Sequence, residues 1–153
     1  MYRNFSRFIL ILISTFFIIG CAKDPTHLEL VLKSGDKLNL DIDDRSSPLM
    51  VTFYELESAE KFMKYDYWTI LDDKESLKND LISQSKHVIL ANQLQNYKIA
   101  FNNKARYLGI LCNFRIIDND YTWKSVIDLK KSSYNFGEFE INKFNMQRVD
   151  NGK

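Results

Sequence analysis

Apolar and polar residues alternate with a period of two along most of this chain, the signature of half-buried strands. Leu28, Leu30 and Leu32 alternate with Glu29 and Lys33, and Leu38, Leu40 and Ile42 alternate with Asn39, Asp41 and Asp43. Ser34-Gly35-Asp36-Lys37 lies between them as a turn signal. Residues 28–43 read equally as a hairpin or as one strand followed by a long ordered loop; Asp44-Arg45-Ser46-Ser47-Pro48 then breaks the pattern. Pro48 opens a strand from Leu49 to Leu56, at a position where proline is tolerated. At Ser58 the period changes. Ala59, Phe62, Met63, Ile70 and Leu71 suit an amphipathic helix capped by Ser58, with Tyr65, Tyr67 and Trp68 packing it onto the domain. Asp72 with Glu75 resembles a capping box, and Leu77, Leu81 and Ile82 form a second short helical face.

The remainder reads as β. Short strands are expected at Lys86–Ala91 and Gln95–Phe101, with a turn at Asn102-Asn103. Tyr107–Ile117 follows, with Leu108, Ile110, Cys112, Phe114 and Ile116 on one face. After a turn at Asp118-Asn119-Asp120 come Trp123–Leu129 and a last strand, Glu138–Val149. In that strand Phe139 and Ile141 are out of phase with Phe144 and Met146, which a bulge near Asn142-Lys143 would reconcile. The pattern predicts a mainly β fold, an antiparallel β-sandwich over 28–149 with a small helical hairpin inserted at about 58–83.

The N-terminus departs from this periodicity. Arg3 and Arg7 precede an almost unbroken apolar run from Phe8 to Ile19, interrupted only by Ser14 and Thr15, and Ile18-Ile19-Gly20-Cys21 follows. A basic start, an apolar centre and a small residue before the cut describe a signal peptide. The run is well short of the ~20 residues needed to span a bilayer. A cysteine directly after the small residue resembles a bacterial lipobox. That resemblance implies a cleaved leader at 1–20 and acyl chains on Cys21, with two or more chains needed for stable retention. Residues 21–27 then form a short tether and 150–153 a tail. About five tether residues reach roughly 17 Å at ~3.5 Å each, so the domain sits close to its membrane. Ala22, with no aspartate at that position, favours the outer membrane by resemblance to enteric lipoproteins.

Composition narrows the possibilities. Eleven Phe, eight Tyr and two Trp against five Gly and two Pro supply a real core, and they argue against disorder. With Arg3 and Arg7 removed, acidic side chains exceed basic ones by one, so nothing suggests a nucleic-acid partner. Once Cys21 is acylated Cys112 is the remaining thiol, and no internal disulfide can form. His27 and His87 have no ligand-spaced partner. Asp41, Asp43 and Asp44 miss the calcium-loop pattern, which would want Gly at Ser46 and Glu at Thr52. With isolated glycines and no triad motif, neither a cofactor nor catalysis is expected. The residues alone describe a membrane-tethered sandwich that binds something.

An ordered set of residues starts with the lipobox and runs through Leu38-Asn39, Arg45, Ser47-Pro48, Val51, Tyr54 and Leu56 to Phe62, Asp66-Tyr67 and Leu71. It continues through Leu77, Asp80-Leu81, Gly109–Arg115 and Trp123-Lys124. This set resembles the TssJ family, the outer-membrane lipoproteins of type VI secretion. Two positions depart from the family: Ala91-Asn92 replaces a proline-glycine, and Asp44 replaces a loop glycine.

The resemblance implies a transthyretin-like sandwich that anchors the secretion complex to the outer membrane. It implies binding to the periplasmic C-terminal region of the inner-membrane protein TssM through the loop between the first two strands, here about Asp36–Pro48. The candidate contact residues are Asn39, Leu40, Asp41, Ile42, Asp43, Asp44, Arg45 and Ser46, in which apolar Leu40 and Ile42 sit within a polar rim. A periplasmic carrier of a small ligand is the alternative, and a lipoprotein enzyme the third class.

Overall fold

The computed structural model describes residues 24–72 and 77–149. The leader, Cys21, the Asp72–Glu75 capping box and the tail lie outside the described residues. The elements run β1 (His27–Leu38), β2 (Leu49–Leu56), α1 (Glu60–Lys64), α2 (Tyr67–Asp72), β3 (Leu81–Ile89), β4 (Leu94–Ala100), β5 (Tyr107–Cys112), β6 (Lys124–Asp128), β7 (Tyr134–Lys143) and β8 (Asn145–Arg148). Two four-stranded sheets form, ordered β4-β1-β7-β8 and β3-β2-β5-β6. The sandwich matches the expectation with one refinement: β1 and β7 pair in parallel, while the other pairings are antiparallel.

Alternation explains the central core. Leu28, Leu30 and Leu32 of β1 and Phe139 and Ile141 of β7 point inward against Val51, Phe53, Leu108, Ile110 and Cys112 of the facing sheet. β2 and β5 are apolar on both faces because the helices cover the outer side of their sheet. There Tyr54, Leu56 and Leu111 pack with Phe62, Tyr67, Ile70 and Leu77 in a second cluster. Gly109 lets α1 approach this closely, since a Cβ there would lie 3.0 Å from the Phe62 ring.

Four local expectations change. Residues 28–43 are one strand and an ordered loop: β1 continues through the turn signal to Leu38, and its register against β7 shifts between Ser34 and Leu38. The helix expected to be capped by Ser58 has Ala59 at its N-cap, with no side-chain cap bond, and breaks at Tyr65-Asp66. Ser58 Oγ accepts the Glu60 N–H, and Asp66 starts a separate helix by accepting the Trp68 and Thr69 N–H groups at 3.0 Å. Leu81 and Ile82 belong to β3, not to a helix, because Leu81 pairs with Leu56 across the sheet. The expected bulge at Asn142-Lys143 is a chain reversal: Asn142 pairs with Asn145, and Lys143 takes φ 51°. That reversal changes the phase and returns Met146 to the core.

Candidate partner-binding loop

The loop from Asn39 to Pro48 is built from its own side chains. Asn39 leaves β1 in the left-handed region, φ 45°, which asparagine tolerates better than most residues. Its buried side chain donates to the Pro48 carbonyl at 3.0 Å and accepts the Arg115 N–H at 2.8 Å. The two ends of the loop are thereby pinned to each other and to the chain following β5. Ser46 Oγ accepts the Leu38 N–H at 3.1 Å and donates to the Asp36 carbonyl at 2.5 Å.

Asp41 organises the tip. One carboxylate oxygen accepts the N–H groups of Asp43 and Arg45 at 2.9 and 3.0 Å. The other takes the Arg45 guanidinium at 3.0 Å, and the same guanidinium reaches Asp43 at 2.8 Å. The Arg45 N–H first, then the Asp43 N–H and the Arg45 side chain, hold the Asp41 carboxyl below the usual carboxylate range. The acidic cluster is thus satisfied by Arg45. Among the described residues no group of His, Cys, Asp or Glu is arranged to hold a metal. Asp44, standing where the family has glycine, adopts φ 57°, and Asn92 at the other departure does the same. Both keep the turn without the glycine, because short polar side chains bond locally in this region.

This ordered frame presents apolar groups. Ile42 is 100% exposed at the tip, and Leu40 is half-buried beneath it. Beside them opens a groove of about 340 Å³ lined by Leu40, Asp41, Ile42, Asp44, Arg115, Ile116 and Phe144. Phe144 sits at the β7–β8 reversal and is braced by Phe114 and Tyr121, with ring centroids at 6.4 and 5.7 Å. Ile116 and Phe144 were missed as surface groups, since alternation placed both within strands. The signal present was the phase break at Asn142-Lys143; the strand expected to reach Ile117 ends at Cys112, which leaves Ile116 in the chain that follows it.

Other reactive side chains are accounted for in the core or at the edge. Cys112 is buried, 3.7 Å from Met146 Sδ, and burial pushes its thiol pKa far up. His87 packs tilted against Phe53 and edge-on to Tyr97, with ring centroids at 4.5 and 4.8 Å, and burial lowers its pKa.

A two-sheet sandwich that displays an apolar side chain on an ordered polar loop belongs to the class of small β-sandwich domains. Residues 26–147 match the family described as "Type VI secretion lipoprotein, VasD, EvfM, TssJ, VC_A0113", and the chain belongs to that family. It is therefore a lipoprotein component of a type VI secretion complex and not an enzyme. No curated protein matches the chain. Among solved structures it is similar to the T6SS lipoprotein TssJ1 from Pseudomonas aeruginosa, with 21% identity, TM-score 0.76, and 84% of this chain and 98% of that one covered. Serratia marcescens Lip, a membrane-bound component of the type VI secretion system, gives 18% identity, TM-score 0.74, and 82% and 99% coverage. A chain in a structure of the T6SS protein TssM C-terminal domain (869–1107) from EAEC gives 16%, 0.69, and 81% and 98%.

Proposed function

We propose that this lipoprotein is held in the outer membrane by acyl chains on Cys21, faces the periplasm, and binds the periplasmic C-terminal region of a TssM-like inner-membrane protein. It thereby tethers the secretion complex to the outer membrane. The contact is made by Asn39–Ser46. The full exposure of Ile42 on a loop held by Asp41, Asn39 and Ser46 supports this reading most directly. An apolar side chain kept out of the core on an ordered frame is a ready anchor, because little loop entropy is lost on binding. Ile116 and Phe144 extend the surface into a groove able to seat an apolar side chain of the partner.

The likeness to the structure of the TssM domain adds support. There 81% of this 153-residue chain covers 98% of the aligned chain.

The test is binding of the mature protein to the partner's periplasmic region, with Ile42→Ala, Arg45→Ala and Ile116→Asp compared. Each should weaken binding and leave the fold intact. Full-strength binding by a folded variant whose 39–47 segment is replaced by Gly-Ser would rule the loop out. The carrier alternative is favoured by a cleft of about 320 Å³ between the edges of β3 and β4, lined in part by Phe53, His87 and Tyr97. A ligand that raises the melting temperature and is lost in His87→Ala would support it.

A further inference from the structure

The end of the sandwich opposite the Asn39–Ser46 loop is built around the point where the tether enters β1. Thr26 is buried there. Its carbonyl accepts the Phe101 N–H at 2.9 Å, its hydroxyl accepts the Ser132 N–H at 3.0 Å, and the next residue, His27, donates its N–H to the Ser133 carbonyl. Buried Asn135 completes the lock. Its amide donates to the carbonyls of His27, Lys130 and Ser133 at 3.0 to 3.2 Å, and its oxygen accepts the Lys130 N–H at 2.8 Å. The β6–β7 loop is therefore fastened to the chain's exit.

That loop presents Lys130 and Lys131 to solvent, neither ion-paired to a described residue. Lys104, at the same end, is held by Glu57 at 3.7 Å. The outward residues of β7 run Tyr134, Phe136, Glu138, Glu140, aromatic beside the tether and acidic away from it. Tyr134 is 64% exposed and Phe136 47%. Glu29, the carboxylate next to them, accepts bonds from Tyr134 and Asn96. Asp24 and Asp128 are the other exposed acidic groups in the flanking chain.

We propose that this end is a phospholipid-docking surface. Lys130 and Lys131 contact headgroup phosphates, and Tyr134 and Phe136 settle at the headgroup level. The length of chain outside the structure argues for this occupant. Four residues, hence five Cα steps, separate Thr26 from Cys21, a reach of roughly 17 Å at ~3.5 Å per step, so a bilayer holding Cys21 lies within reach of the loop. Basic side chains are drawn to anionic leaflets, and aromatic rings favour the interface. Docking sets the domain upright, with Ile42 pointing away from the membrane toward the periplasm. The proposal rests on the acyl anchor at Cys21 proposed above.

The test uses the acylated mature protein in vesicles of phosphatidylethanolamine and phosphatidylglycerol. A fluorophore is attached through Lys131→Cys or through Ile42→Cys, Cys112 being buried. Brominated lipids should quench the label at 131 several-fold more than the label at 42. Lys130→Glu with Phe136→Ser, added to Lys131→Cys, should remove that difference while circular dichroism and flotation stay unchanged. Equal quenching at both positions in floating protein, or quenching at 131 unaffected by the double substitution, overturns the docking surface alone. Protein that does not float with the vesicles overturns the anchor, and the docking with it.

Discussion

Arg45 and Ile42 divide the work of the loop between them. Arg45 neutralises Asp41 and Asp43 and holds the tip in one shape. Ile42 makes no core contact, so its truncation removes nothing from the fold. Ile42→Ala should therefore change stability by no more than about 0.5 kcal/mol, as surface substitutions do; a loss of a few kcal/mol in denaturant melts would place it in a core. Cys112 behaves oppositely. Its thiol is buried and its ionisation is suppressed, so native protein should resist thiol reagents until denaturant is added. Cys112→Ala should cost ~1 kcal/mol, and Cys112→Asp should prevent folding by burying a charge. Rapid labelling of the native thiol would contradict this placement.

At the scale of elements, alternation revealed the sandwich, because β1 and β7 each turn a single face to the core. It misplaced the transitions. Ser34–Lys37 has turn composition, yet Ser34 Oγ bonds the Leu90 and Gln93 carbonyls and carries β1 onward. The helix break at Asp66 was encoded in a capping side chain but masked by apolar residues on either side. The exposed Ile116 and half-buried Phe144 were hidden for a related reason, since period alone cannot say where a strand stops. The candidate loop was legible from composition and family resemblance, whereas its frame depends on residues distant in sequence: the Asn39 side chain accepts the Arg115 N–H, and the Asn39 N–H donates to the Lys143 carbonyl.

The helical insertion has its own fastening. Lys124 Nζ donates to the carbonyls of Phe62, Met63 and Tyr65 and lies 4.8 Å from the Trp123 ring centroid. Losing an ammonium that satisfies these helix-end carbonyls should cost ~1.5–3 kcal/mol. Lys124→Ala should lower the denaturation midpoint and open α1 to proteases first; unchanged proteolysis would show that the helices hold without it. The loop responds to acid instead. Asp41's folded pKa is depressed, so its contribution is present above the ordinary 3.8 and is lost as pH falls through the lower folded value. Amide protection at Asp43 and Arg45 should drop below that pH while β1 stays protected. Protection that persists until global unfolding would contradict the role of Asp41.

For the whole molecule, β1 is the axis. It starts at the locked tether exit, runs the length of the core, and ends at Leu38, just before Asn39, where the proposed contact loop begins. The proposed lipid and protein contacts thus lie at opposite ends of one strand. The central claim is that the Ile42 loop is the contact with the inner-membrane partner, and titration calorimetry tests it most directly. Mature wild-type protein and Ile42→Asp are titrated with the periplasmic C-terminal region of the partner. The variant should keep its melting temperature and lose at least ~2 kcal/mol of binding free energy, the scale of an interface hot spot. A folded Ile42→Asp protein that binds with wild-type affinity would contradict the account.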